Sequence, residues 1–138
     1  MSDTMYIPEA SAKKILQIIL GLDLAEDITL GLFVNDATIV DGTVIGDLTE
    51  MYTHGYAAKT LTMGSWGAPS FSTPDAISVY AQQTWTFTAA ATVTVYGYFA
   101  KMGTTLTLLW ACKFGAGKPI TYANETIKVT PEFRFGLA

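Results

Sequence analysis

The sequence predicts a mainly β protein, a jelly-roll-like β-sandwich preceded by one short N-terminal α-helix. Roughly seven or eight short segments alternate apolar and polar residues at the period of two that half-buried strands show. Turn-forming residues separate these segments, as in sandwiches and barrels. Only 14% of the residues are charged, and 12 glycines and many threonines accompany the apolar positions. An immunoglobulin-like sandwich is the second choice, weakened because the chain has no Cys pair.

The length of 138 residues corresponds to a single domain, with an N-terminal arm and helix over residues 1–25 and a β core over residues 26–138. The formal net charge is -4 and the eight basic residues are scattered. Nucleic acid is therefore not an expected partner, since neutralising phosphates needs clustered Lys and Arg. The single Cys112 excludes an internal disulfide, and with one histidine it also excludes a Cys/His zinc site.

The N-terminal segment predicts one amphipathic helix of about three turns. Pro8-Glu9 is a typical helix start, and Gly21 is a suitable C-terminal cap. The helical spacing places four apolar residues on one side, which either plugs one end of the β core or docks on a neighbouring subunit or partner. These residues are Ala12, Ile15, Leu16 and Ile19. The polar N-terminus has no secretory signal and the apolar run 15–24 is too short to span a bilayer, so we expect synthesis in a cytoplasm and no membrane contact.

Residues 83–99 form the stretch around which the rest of the chain is expected to be organised. Trp85 and Phe87 share one face of a first strand, and a second alternating run covers residues 92–99. The three alanines at 89–91 leave room for only a short connection. The two strands are therefore predicted to be adjacent and antiparallel.

Further strands are predicted on either side of this stretch, at residues 28–34, 57–63, 106–114 and 127–135. The strand 106–114 is apolar at almost every position, which predicts cover on both of its faces. Asp41-Gly42 is a turn signal between short β-branched runs, which predicts either a hairpin or an irregular edge segment, and residues 115–119 are predicted to be another turn. Pro131 cannot donate to a ladder, so the last strand is expected at an edge or with a bulge there.

None of the possible chemical motifs matches the spacing that its chemistry requires. His54 has no nucleophile or acid placed around it by the sequence, and Gly115 to Lys118 lacks the first Gly and the Ser or Thr of a phosphate-binding loop. The acidic residues have no EF-hand spacing, and Asn124 begins a glycosylation triplet that matters only in a secreted protein. We therefore expect no enzymatic activity, no cofactor and no metal.

Four aromatic side chains in loops are the candidate partner-binding residues. They are Tyr52, Tyr56, Trp66 and Phe71. Such residues either fold back as lids on the core or form an exposed anchor patch of the kind found at interfaces. The sequence leaves both alternatives open.

Three strings of the sequence resemble a group of small structural proteins of tailed bacteriophages. They are LGLFVNDATI from Leu30, LTEMYTHGYAAKTL ending at Leu61, and YGYFAKMGTTLTLLWACKF followed by TIKVTPEF. The resemblance covers most of the chain, but its motifs are strand patterns. The chain departs from the group's usual residues at Leu48, Lys101, Met102, Cys112, Lys113, Asn124 and Glu125.

The resemblance implies a virion component without catalytic residues, similar to capsid cement or decoration proteins. Such a protein would be made in the cytoplasm of the host bacterium and would sit as a homotrimer on the capsid surface, bound to the major capsid protein. The main alternative is a tail or head-fibre module that binds host-surface carbohydrate, and a more distant one is a small hydrolase. Sugar recognition needs exposed aromatics with polar partners, and an enzyme needs an acid/base set in a pocket. A cement protein needs only contact area, which this composition fits best.

Overall fold

The computed structural model describes residues 4–72, 75–103 and 107–136, and it is mainly β with one short α-helix near the N-terminus. The predicted class, a mainly β sandwich with a short N-terminal helix, is confirmed; its jelly-roll-like strand order stays a prediction. A single 3-10 turn covers Ile45–Asp47. The helix and strands are β1 Thr4–Tyr6, α1 Glu9–Ile19, β2 Ile28–Phe33, β3 Lys59–Leu61, β4 Ser70–Ser72, β5 Asp75–Val79, β6 Gln83–Thr86, β7 Thr94–Met102, β8 Thr107–Pro119, β9 Thr126–Val129 and β10 Glu132–Gly136.

The described strands form three antiparallel sheets. The largest has five strands in the order β1-β8-β7-β2-β3, and its two longest members, β7 and β8, pair along most of their length. A three-stranded sheet has the order β10-β5-β4, and a two-stranded sheet consists of β6 and β9. The two-stranded sheet contributes Trp85, Ile127 and Val129 to the apolar core, which it shares with the inner face of the large sheet, and Phe133 of the three-stranded sheet packs against this core.

The large sheet is buried on both faces along its central strands. Leu30 and Leu32 of β2 belong to the main core cluster, whereas Phe33 belongs to a second cluster on the opposite face. The side chains of Ala37, Ile39 and Ile45 pack against that second cluster. In β8, residues 108–112 and Phe114 are buried. The predicted cover on both faces of this strand is thus confirmed within the described residues.

Two glycines of the central strands lie opposite phenyl rings. Gly31 of β2 pairs with Phe99 of β7, and Phe33 pairs with Gly97. A Cβ atom at Gly31 would overlap the ring of Phe99, and one at Gly97 would overlap both the ring of Phe33 and the carbonyl oxygen of Cys112. The rings fill the space above the glycines, so β2 and β7 form a reciprocal aromatic–glycine pair.

The prediction that the strands of residues 83–99 pair with each other is wrong. β6 pairs with β9, whereas β7 lies between β8 and β2 in a different sheet. The backbone N–H of Phe87 donates to Glu125, and that of Ala91 donates to Ile120, so the alanine segment crosses from one sheet to the other. The predicted inward face of β6 is nevertheless correct, because Trp85 and Phe87 are buried.

The single strand predicted over residues 127–135 is two strands in two sheets, β9 and β10, separated at the buried Pro131. Pro131 ends the β9 ladder because it has no N–H to donate, while its carbonyl accepts from the N–H of Tyr80. The turn predicted at residues 115–119 is also wrong, because β8 continues to Pro119 and pairs there with Thr94.

The predicted hairpin at Asp41-Gly42 is a turn without flanking strands. The N–H of Thr43 donates to the carbonyl of Val40, and the N–H of Val40 donates to Oγ1 of Thr43. The buried Thr43 side chain thus closes the turn locally, and the chain continues into the 3-10 turn instead of a strand.

The helix has the predicted ends but not the predicted buried face. Gly21 has φ +74, and the N–H groups of Gly21 and Leu22 donate to carbonyls of the last helical turn, as predicted for a C-terminal cap. Ser11 and Lys14 are the buried residues of α1, while Leu16 and Ile19 are exposed. Of the two alternatives for the apolar side, the one in which Ala12, Ile15, Leu16 and Ile19 plug the core is therefore wrong, since only Ile15 of these four is half-buried. The other, docking on a neighbouring subunit or a partner, stays a prediction.

Candidate partner-binding surface

The four candidate aromatics do not form one patch. Tyr56 and Trp66 are half-buried and pack against the main core cluster. Tyr52 and Phe71 are exposed, at 76% and 87% of their area. The sequence left two alternatives for these aromatics. Tyr56 and Trp66 fold back as lids on the core, whereas Tyr52 and Phe71 are exposed to solvent.

Tyr56 closes the edge of β2 beyond the end of β3. Its hydroxyl donates to Oε2 of Glu50 at 2.6 Å and accepts from the N–H of Leu32 at 3.1 Å. Its ring stacks on Trp85 with centroids 6.5 Å apart. Burial of the ring and the hydrogen bond to Glu50 raise the pKa of Tyr56. This residue supports the fold and offers little surface to a partner.

Trp66 covers one end of the core and lines a cleft. Its ring meets Tyr80 edge-on at 5.2 Å and Trp110 at 6.2 Å, and Trp110 stacks on Phe133 at 4.7 Å. The cleft beside it has a volume of about 300 Å³. Its lining is mostly apolar and consists of Ala25, Glu26, Ile28, Met63, Gly64, Trp66, Ser78, Met102 and Phe133.

Hydrogen bonds fix both sides of this cleft. The N–H of Met63 donates to Oδ1 of Asp27 at 2.8 Å, which ties the loop before Trp66 to the segment that precedes β2. On the other side, the N–H of Gly67 donates to the carbonyl of Val79 at 2.9 Å, and the hydroxyl of Ser78 donates to the carbonyl of Gly67 at 2.7 Å. The cleft is therefore a preformed feature rather than a gap between unconnected loops.

The apolar face continues from the cleft along the three-stranded sheet. Phe133 pairs with Ser78, and two residues further on Phe135 pairs with Ala76, which also pairs with Phe71 of β4. Because side chains two residues apart share a face, Phe71, Ala76 and Phe135 lie on the same face as Phe133. We call these three residues the aromatic row. Phe71 and Phe135 are exposed, at 87% and 54%, so this end of the sheet face lacks cover from the described part of the chain.

The opposite face of the same sheet is charged. Nη1 of Arg134 is 2.7 Å from Asp75, and its Nε is 2.6 Å from Glu132. The hydrogen bond to Asp75 is the main reason that the pKa of Arg134 is raised. This face combines its charged residues with Ile77 and Val79, the register partners of Arg134 and Glu132. The face of the aromatic row carries the exposed phenyl rings and gains more by being covered.

The remaining residues singled out by the sequence do not form a chemical site. His54 has φ 59, and its Nδ1 is buried without a hydrogen-bond partner in the described chain. Gly115 to Lys118 lie within β8, where Nζ of Lys118 stands 4.6 Å from the ring centroid of Phe114. Among the residues that the structure describes, no three His, Cys, Asp or Glu side chains are grouped to hold a metal ion. In the same residues, no helix has the length and hydropathy of a membrane span.

Sequence reasoning missed Phe135 and Met63 as members of the apolar surface. The alternation does place Phe135 on the face of Phe133. The pairing with β5 that aligns it with Phe71 depends on contacts distant in sequence, so a local pattern does not contain it.

Comparisons with known proteins found no matching family model, curated protein or solved structure.

Proposed function

We propose that this protein is a bacteriophage capsid cement protein that binds the outside of the major capsid shell as a homotrimer and stabilises the shell. The observation that carries the proposal furthest is the aromatic row, in which Phe71 and Phe135 extend the apolar face of a rigid sheet into solvent. Exposed aromatic residues on a preformed surface are typical centres of protein interfaces. Together with the phage-like strings, they favour a protein partner in the virion.

The surroundings of the row favour protein contact over sugar binding. Both exposed rings are phenyl groups, which have no hydroxyl or N–H to donate to a sugar. The Ser70 and Ser72 side chains alternate with Phe71 and so lie on the other face of β4. Ser78 does share the face of the row, but its hydroxyl already donates to the carbonyl of Gly67. A fibre module that binds host carbohydrate would pair its aromatics with polar groups on the same face.

Stabilisation of the shell follows from linkage. A protein that binds only the assembled capsid raises the apparent stability of that state in proportion to the logarithm of its free concentration. The effect needs no chemical step and no cofactor. It needs contact with neighbouring capsid subunits, which a trimer at a local three-fold position provides.

The test uses purified capsids that lack the protein and a Phe71→Ser/Phe135→Ser double variant. Wild type is expected to co-sediment with capsids and to raise their melting temperature, whereas the double variant is expected to bind at least ten times more weakly. Tyr122→Ser is the matched control, because Tyr122 is an aromatic of 61% exposure away from the row. Wild type that neither sediments with capsids nor changes their melting would overturn the proposal and favour the tail or head-fibre alternative.

A further inference from the structure

The N-terminal helix turns a face of mixed polarity toward the protein. Ser11 and Lys14 are its buried residues, Ile15 and Ile18 are half-buried, and Ile18 packs against the main core cluster. The hydroxyl of Ser11 is buried without a hydrogen-bond partner in the described chain. An amphipathic helix normally buries all of its apolar stripe. Here apolar residues lie on both sides, so the helix also presents aliphatic side chains to the outside.

These side chains form a continuous exposed segment at the end of the helix and the turn after it. We call the segment the aliphatic ridge, and its exposures range from 57% to 78%. It consists of Leu16, Ile19, Leu20, Leu22 and Leu24. The first three are spaced i, i+3 and i+4, which is the spacing by which one helix packs on another.

Specific contacts hold the ridge in this orientation. Nζ of Lys14, with a side chain only 3% exposed, is 2.5 Å from Oδ2 of Asp23 in the turn that carries Leu22 and Leu24. The N–H of Leu22 also donates to the carbonyl of Gln17, which folds the turn back onto the helix end. Rotating the helix to bury the ridge would separate a buried ammonium from its carboxylate, which is costly.

The ridge has the size and composition of a subunit interface. At these exposures its side chains offer on the order of 500 Å² of apolar surface per copy. A standard interface buries about 800 Å² on each partner, of which somewhat more than half is apolar. The ridge therefore supplies the apolar centre of one such interface. Homodimer interfaces are also more apolar than transient ones, at about 65% of their area.

Charge argues against a lipid surface as the occupant. Asp23, Glu26 and Asp27 adjoin the ridge, and the formal net charge of the chain is -4. Anionic membranes attract amphipathic helices through Lys and Arg on the polar face, but Lys14 is buried in its pair with Asp23, which leaves Lys13 as the one exposed basic residue of the helix. A second copy carries the same acidic residues, so it fits this surface where the two aliphatic ridges meet at the centre and the carboxylates stay in the hydrated rim.

We propose that the aliphatic ridge is the surface through which copies of this chain associate with one another. The inference assigns an interface to the homotrimer. The expected number of three copies rests on the function proposed above. The ridges of three copies pack around a common axis, so that Leu16, Ile19 and Leu20 of each copy contact those of its neighbours. The aromatic row then remains free for another partner.

The test compares full-length wild type with an Ile19→Lys/Leu22→Lys double variant by size-exclusion chromatography with light scattering. Wild type is expected at about 45 kDa, three times the 14.9 kDa of one chain, and the double variant at the mass of one chain. Tyr122→Lys is the control and keeps the wild-type mass, because Tyr122 is exposed outside the ridge. Wild type at the mass of one chain, or a double variant at the wild-type mass, would overturn the inference.

A second measurement tests the interface even if the double variant unfolds once its copies no longer associate. Ile19→Cys in the otherwise unchanged chain is expected to crosslink to other copies with a short bismaleimide, and Tyr122→Cys is not. Background from Cys112 is small because that side chain is buried. Failure of Ile19→Cys to crosslink would contradict the proposal. Neither measurement uses capsids. A trimer that does not bind capsids would overturn the proposed function alone. A monomer that binds capsids would overturn this inference alone.

Discussion

Gly31 and Gly97 hold their positions in the central strands because a phenyl ring from the neighbouring strand occupies the space that a side chain would need. Glycine usually weakens a strand, since it loses much backbone freedom and has no side chain to pack. Here the rings of Phe99 and Phe33 restore that packing across the strand pair. The arrangement joins β2 to β7 through complementary shape as well as through ladder hydrogen bonds.

Replacement of Gly97 by Ala is expected to destabilise the protein by about 3 kcal/mol, because the added methyl group meets the Cys112 carbonyl as well as the movable Phe33 ring. The free energy of unfolding in urea measures this cost. Gly46→Ala is the matched control and is expected to change it by less than about 0.5 kcal/mol, because no atom lies near the position of its Cβ. Equal unfolding midpoints for the two variants would mean that the strands can separate to admit a methyl group.

At the scale of elements, the polar contact between Lys14 and Asp23 lies on the side of the helix that faces the protein, where Ile18 also packs against the main core cluster. The side chain of Lys14 is 3% exposed, while that of Asp23 is 35% exposed. The hydrogen bond from Lys14 is the main reason that the pKa of Asp23 is lowered. The ionised carboxylate is thus part of what holds the helix in its observed orientation.

Asp23→Asn is expected to lower the unfolding midpoint at neutral pH, since it leaves the buried Lys14 ammonium without its carboxylate. An acid with a lowered folded pKa contributes stability above its unfolded pKa and loses it as the pH falls through the folded one. The difference between wild type and Asp23→Asn should therefore shrink on acidification and vanish below the folded pKa of Asp23. Denaturant midpoints from neutral to acid pH measure it.

Asp36→Asn provides the control for that experiment. Asp36 pairs with Lys113, but its side chain is 67% exposed, and exposed ion pairs contribute little. Its midpoint is expected to stay near that of wild type at every pH. If Asp36→Asn proved as damaging as Asp23→Asn, burial of Lys14 would not be the cause of the loss.

The sequence was sufficient for local features and insufficient for pairings between distant segments. Alternation correctly placed Trp85 and Phe87 inward, and Pro8 and Gly21 correctly bounded the helix, because these features depend on neighbouring residues. The partner of β6 is β9, some forty residues away, and local alternation does not encode that choice.

The buried face of the helix and the exposure of the candidate aromatics escaped prediction for a related reason. Apolar residues lie on both sides of the helix, and the contact with Asp23 is part of what holds its orientation. Trp66 and Phe71 are five residues apart in one loop-like segment, yet Trp66 reaches Trp110 and Phe71 faces solvent. Only the pairing of β4 with β5 distinguishes their environments.

For the molecule as a whole, the apolar clusters on both faces of the large sheet supply the main source of stability. We expect the melting temperature to be the same with and without a strong chelator, because the core needs no ion to hold its strands together. Differential scanning fluorimetry with EDTA measures this, with a calcium titration as its counterpart. A chelator-induced drop that calcium reverses would show that acidic turns bind the ion.

The aromatic row has a consequence for how tightly the protein holds a repetitive surface. Two exposed phenyl rings give one copy only a weak contact, but the homotrimer proposed above would present three rows at fixed distances. Once one row of that trimer is engaged, the other two would act at a high effective concentration, and the combined affinity would exceed that of a single row by about 10² or more. Diluting the protein below the concentration at which its copies associate would then release it from the capsid surface, although the aromatic row itself is unchanged.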